Sequence, residues 1–186
     1  AGTSETFAYL IDWGDGTAAT TGNVTNVQQG SSGVLTQGSF DGSHVYADNG
    51  VYTVTVSVLD DDGGTASHSF PITITNADPT LTVTANKTVA EGATLTIPDI
   101  GTFTDPGFDN PANPGSEKQE TFTYVVNWGD GTANDTGNAT VDVIGSPGVL
   151  TRGSLDGSHI YADNGVYTVT VTVHDDDGGT DAETFT

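Results

Sequence analysis

Apolar and polar residues alternate in short runs along most of the chain. In Tyr52-Thr-Val-Thr-Val-Ser-Val58 the residues Tyr52, Val54, Val56 and Val58 fall on one face, and Thr53, Thr55 and Ser57 on the other. The same alternation runs from Tyr167 to Val173, through Phe122, Tyr124, Val126 and Trp128, and through Phe70, Ile72 and Ile74. Leu81 with Val83, and Leu95 with Ile97, repeat it in shorter form. A period of two marks half-buried β-strands, and no stretch shows helical spacing. Turns are predicted at Gly14-Asp-Gly16, Asp48-Asn-Gly50 and Asp61-Asp-Gly-Gly64. Short strands at regular intervals predict an all-β protein built as two-sheet sandwiches.

The pattern also repeats on a longer scale. Residues 5–70 align with 120–185 at a constant offset of 115, without gaps, and 45 of the 66 positions are identical. Glu5-Thr-Phe…Trp13-Gly-Asp-Gly-Thr-Ala returns as Glu120-Thr-Phe…Trp128-Gly-Asp-Gly-Thr-Ala. The stretch from about Asn76 to Gln119 precedes the second copy and has no counterpart before Glu5. The expected division is therefore a first repeat over 1–76, lacking its opening strands, and a second, nearly complete repeat over 77–186. A parent chain with further copies is expected, with this one beginning and ending inside a unit.

Composition narrows the function. Twenty-five acidic against three basic side chains give a formal charge of −22, which repels phosphate backbones and anionic lipid surfaces. Nucleic acid and membranes are excluded as partners, and divalent cations become the natural counter-charge. Cysteine is absent, so there is no disulfide framework, thiolate metal site or cysteine nucleophile. No apolar run is long enough for a membrane helix, and no signal-peptide pattern opens the chain.

Asp12-Trp-Gly-Asp-Gly16, followed by His44-x-Tyr46 and Gly50-x-Tyr52-x-Val54-x-Val56-x-Val58, resembles the PKD (polycystic-kidney-disease-type) domain. The second copy carries the pattern through Asn127-Trp-Gly-Asp-Gly131, His159, Tyr161, Gly165 and Tyr167. It departs from the family at Ile11 and Val126, where an aromatic is usual, and at Asn127, where Asp is usual. The resemblance implies tandem immunoglobulin-like β-sandwiches of the kind found as extracellular or cell-surface spacer, adhesion and array modules. Asp48-Asn-Gly50-Val-Tyr52 has the form of a tyrosine corner. Trp13 and Trp128 read as core residues, and His44 and His159 as hydrogen-bonded packing residues.

The acidic residues carry the candidate chemistry. Asp outnumbers Glu by 20 to 5, as suits turns and oxygen-ligand loops. Three groups stand out: Asp60-Asp61-Asp62, repeated as Asp175-Asp176-Asp177; Asp105 with Asp109; and the junction Asn76-Ala-Asp78. With Leu95–Ile97 as strand B, Phe122–Trp128 as strand C and Tyr167–Val173 as strand F, the B–C and F–G loops share one end of the second sandwich. Asp78, Asp105, Asp109 and Asp175–Asp177 should converge there, beside the entry from the first repeat. Crowded carboxylates of this kind suit Ca²⁺, which takes six to eight oxygen ligands. The resemblance points the same way, since some family members bind calcium through loops before strand C. Calcium at these positions is expected to stiffen the joint between repeats. Asp60–Asp62 lacks its B–C loop partners in the first copy. A solvated acidic face is the bland reading of the same residues.

Enzymatic motifs are missing: there is no Gly-x-Ser-x-Gly, His-Glu-x-x-His or phosphate-binding Gly-Lys loop. The expected role is a non-enzymatic spacer repeat of a large surface, adhesion or filament-forming protein. Its expected partners are neighbouring copies of the repeat, with strands donated from one molecule to the next in a filament. The alternative is an adhesin module that binds a glycan or a surface protein, for which Phe40 and Phe108 in loops are the spare aromatics. Asn23, Asn86, Asn134 and Asn138 head N-glycosylation sequons.

Overall fold

A computed structural model of the chain describes residues 4–25, 27–115 and 118–186. The described residues form strands and loops without a helix, and every strand pairing is antiparallel. The protein is all-β. It divides into two compact units, one made of Ala1–Tyr46, Gly50–Ile74 and Ala112–Ser116, the other of Ala47–Asn49, Thr75–Pro111 and Glu117–Thr186.

Unit 1 holds β1 (Phe7–Asp12), β2 (Thr20–Asn23), β3 (Gly50–Asp60) and β4 (Thr65–Ile74), in the order β2-β1-β3-β4. The turn after β1 needs its glycines. Gly14 sits at φ 81°, and a Cβ there would run into the Thr53 carbonyl oxygen. Only glycine combines a left-handed backbone with that approach. On β3 the alternation is sharp at Tyr52 and Val54, which are buried, but Val56 and Val58 are only half-buried. Phe70 on β4 is 43% exposed.

Unit 2 holds β5 (Thr80–Val83), β6 (Thr94–Asp105), β7 (Phe122–Asn127), β8 (Asp135–Asn138), β9 (Thr140–Val143), β10 (Thr151–Ile160), β11 (Val169–Asp175) and β12 (Thr180–Phe185). They form two sheets, β5-β6-β10-β9 and β12-β11-β7-β8. Leu81, Ile97, Ile100, Phe103 and Leu155 from the first sheet meet Phe122, Val126, Val169, Val171, Val173 and Phe185 from the second in one core, with Trp128 and Tyr161. Two sheets sharing an apolar interior make a β-sandwich. Here the alternation is complete: along β11 Val169, Val171 and Val173 are buried and the threonines between them are not. Phe185, the counterpart of Phe70, is 5% exposed. The two copies thus share residues but differ in burial, because a second sheet covers β7 and β11 within unit 2.

A bulge adjusts the packing of β6. Leu155 pairs with Gly101 and Gly157 with Ile97, so Pro98–Ile100 bulge opposite the single residue Asp156. Asp99 adopts φ 51°, and its N–H donates to Asp156 Oδ1 at 2.9 Å. The extra residues let Ile100 turn inward alongside Ile97 and Phe103.

Candidate metal centre

The strand ends of unit 2 place its acidic residues. β6 ends on Asp105, β11 ends on Asp175, and the β11–β12 turn carries Asp176 and Asp177. Glu120 lies two residues before β7. Asp105 is 2% exposed. Its Oδ1 accepts the Gly107 N–H at 2.6 Å, while its Oδ2 is buried with no hydrogen-bond partner. Such an oxygen is costly in the absence of a compensating donor or cation. Gly107 separates two carboxylates: a Cβ on it would lie 2.5 Å from Glu120 Oε1 and 3.0 Å from Asp105 Oδ1.

Electrostatics ties the cluster together. Burial pushes the Asp105 carboxyl up to about 6; the Gly107 N–H opposes this, and the charges of Asp175, Asp177 and Asp176 add to it. Burial, with the charges of Asp176, Asp105, Asp48 and Asp177, pushes Glu120 up to about 8. Both groups therefore resist ionising together near neutral pH. One oxygen each from Asp48, Glu120 and Asp177 lies within 4.8 Å of the others, and all three residues are half-buried. That spacing allows one cation to touch all three oxygens.

The remaining predicted residues hold this arrangement. Asp175 Oδ1 accepts the N–H groups of Asp177 at 3.0 Å and Gly179 at 2.6 Å, and its Oδ2 accepts Asn76 Nδ2 at 2.8 Å. Asn76 therefore faces Asp175 with a donor, and its own Oδ1 accepts the Ala77 N–H at 2.8 Å. Asp78 Oδ1 lies 2.9 Å from where a Cβ on Gly179 would stand, so Asn76, Asp78 and Asp175 gather around that glycine. Asp109 Oδ1 accepts the Glu120 N–H at 3.0 Å, and Asp176 Oδ1 accepts the Thr121 N–H at 3.2 Å. These two fix the backbone on either side of the Glu120 carbonyl.

In unit 1, Asp60 Oδ1 accepts the Gly64 N–H at 2.5 Å and Asp61 Oδ1 accepts the Thr6 N–H at 3.0 Å. Asp60–Asp62 repeat the turn of Asp175–Asp177, but among the described residues they join no grouping of three carboxylates. Asp48 and Glu120 are absent from the sequence-predicted set. Glu120 carried a faint signal, as the acid just before strand C, whereas Asp48 was read entirely as part of a turn.

The histidines are packed as predicted. His44 Nε2 lies 2.7 Å from Asp15 Oδ2 and its ring stacks on Trp13; His159 Nε2 lies 2.8 Å from Asp130 Oδ2 and stacks on Trp128. Tyr46 and Tyr161 donate to the Trp13 and Trp128 carbonyls at 3.0 and 3.1 Å. The bonds from Thr132 and His159 draw Asp130 down to about 2. Tyr167 donates to the Asp163 carbonyl at 3.0 Å, four residues back, which closes a tyrosine corner.

No family model and no curated protein matches the chain. Among solved structures, the crystal structure of red sea bream transglutaminase aligns at 14% identity with a TM-score of 0.33. The alignment covers 99% of this chain and 27% of that one.

Proposed function

We propose that the chain is a non-enzymatic structural repeat of the PKD-like kind, part of an extracellular spacer or adhesion array, whose second unit binds Ca²⁺ at one end of its sandwich. The observation that carries the calcium reading is the buried, unpartnered Oδ2 of Asp105 beside Glu120 and Asp175–Asp177. Asp105, Glu120, Asp48 and Asp177 would supply oxygens, with Asp109, Asp175 and Asp176 holding the loops in place. The donor set is all oxygen, which suits a hard cation. The spacer reading rests on duplication. The His–Asp–Trp–Tyr lattice occurs twice with nearly the same distances, so the most reactive side chains of each copy serve packing. The bound cation would tie β6, the loop before β7 and the β11–β12 turn to one another, resisting separation of the two sheets.

Thermal melting of the full chain in EDTA, in millimolar Ca²⁺ and in matched Mg²⁺ tests this. A ligand at one hundred times its Kd stabilises the folded state by about 2.7 kcal/mol. In a domain of this size that raises Tm by roughly 10 °C or more. Ca²⁺ is expected to produce such a shift, Mg²⁺ a smaller one, and Asp105→Asn none. Equal small shifts with both ions would mean charge screening alone and would remove the calcium site.

A further inference from the structure

Thr151, the first residue of β10, is 1% exposed and is the one serine or threonine among the described residues that is buried. A buried hydroxyl is costly unless it is bonded, and this one is bonded twice. Its Oγ1 donates to the Gly107 carbonyl at 2.6 Å and accepts the Gly145 N–H at 3.0 Å. In unit 1 the counterpart Thr36 accepts the Gly30 N–H at 3.0 Å, so the accepting half belongs to the hairpin that leads into the strand. The donating half is different. It reaches 44 residues back along the chain, to the loop that follows β6.

Gly107 is thereby held at both of its polar groups. Its N–H donates to Asp105 Oδ1 at 2.6 Å, and its carbonyl accepts Thr151. Phe108 follows at 9% exposure, a core residue and not the spare loop aromatic that the sequence suggested. The Phe108 N–H donates at 3.0 Å to the carbonyl of Ala47, the residue before Asp48. A Cβ on Gly145 would stand 2.5 Å from Thr151 Oγ1 and 3.0 Å from Phe108 Cβ, so the hairpin backbone lies directly against this dipeptide. Gly107 also lies against the Glu120 carboxyl. Gly107 and Phe108 therefore set the segments carrying Asp105, Glu120 and Asp48 relative to one another.

We infer that Thr151 is a positioning residue of the cation site: its hydroxyl fixes the Gly107 peptide, and that peptide orients the Asp105 carboxylate. The Gly107 N–H holds Oδ1, which leaves the buried, unpartnered Oδ2 for the ion. Thr151 itself is no ligand. Residues that orient a ligand in this way change metal affinity by about 10–100-fold when they are removed. The coupling runs in both directions. A cation on Asp105 steadies the same peptide, and with it Thr151, Gly145 and the β9–β10 hairpin. The inference rests on the calcium reading above and adds to it the residue, outside the acidic loops, that sets the affinity.

The test titrates Ca²⁺ calorimetrically into the full chain and three variants. Thr151→Val keeps the shape and removes the hydroxyl, and is expected to weaken binding at least about tenfold. Thr151→Ser keeps the hydroxyl and should restore it. Thr36→Val removes the matching hydroxyl of unit 1 and should leave the affinity unchanged. In the parent, saturating Ca²⁺ should slow amide exchange at Gly145 at least about tenfold and leave Gly30 as it was. Absence of calcium binding by the parent would remove the calcium reading and this inference together. Where the parent binds, equal affinity in Thr151→Val would overturn the role of Thr151 alone. A serine variant as weak as the valine one, an equal loss in Thr36→Val, or a Gly145 amide indifferent to Ca²⁺ would do the same. If Thr151→Val does not fold, the serine variant and the parent's exchange decide.

Discussion

Asp105 concentrates the chemistry of unit 2 in one carboxylate. One oxygen is satisfied by a backbone N–H and the other is buried without a hydrogen-bond partner, while the charges of Asp175, Asp177 and Asp176 act on the carboxyl. Replacing it with asparagine keeps the acceptor for Gly107 and puts an amide donor where the unpartnered oxygen stood. In EDTA, Asp105→Asn is therefore expected to melt higher than the parent at pH 8, while losing the calcium response. The pH dependence follows from the raised groups. Asp105 and Glu120 take up protons more readily folded than unfolded, rising from 3.8 to about 6 and from 4.5 to about 8. Their contribution to stability is fully present below pH 4 and is lost as pH rises through about 6 and then about 8. Metal-free protein should accordingly show this loss between about pH 4 and 8. The calcium-induced shift should grow over the same interval, because binding requires the deprotonated forms. Tm measured against pH in EDTA and in Ca²⁺ checks both slopes.

At the scale of elements, the tyrosine corner and the aromatic ladder join strand to loop. Tyr161 stacks on Tyr167 at 4.4 Å, and Tyr167 donates to Asp163. Tyr167→Phe removes only the hydroxyl and should cost about 0.5–1.5 kcal/mol, read from urea unfolding. The corner was legible in Asp-Asn-Gly-Val-Tyr because the spacing itself brings the hydroxyl back to its own turn. The bulge in β6 was not legible. Pro98-Asp-Ile100 gave no sign that three residues would face one, since that depends on which side chain the opposing core has room for. Asp48 was hidden for a similar reason: its approach to Glu120 and Asp177 is long-range in sequence, and no local pattern encodes it.

At the scale of the whole chain, the two copies test how far sequence identity sets stability. Their β-strands share most residues, yet the apolar faces of β1 and β3 are less buried than those of β7 and β11. Opening free energy follows buried apolar area and protected ladders. Amides of β1 and β3 should exchange faster than those of β6, β10 and β11 in native-state hydrogen exchange. Equal protection in both copies would show that local sequence alone governs opening.

Alternation of period two, turn glycines and the charge of −22 were sufficient, unaided, to establish an all-β chain with acids gathered in loops. These are local properties: a strand's face is set by its neighbours two residues away, and a turn by its own backbone. The partners of those elements were decided only by tertiary structure. Which carboxylates meet, which oxygen is left buried without a donor, and which copy of a repeated strand is covered all depend on contacts between distant segments. Burial and Coulomb repulsion act through space, and neither can be read from order along the chain.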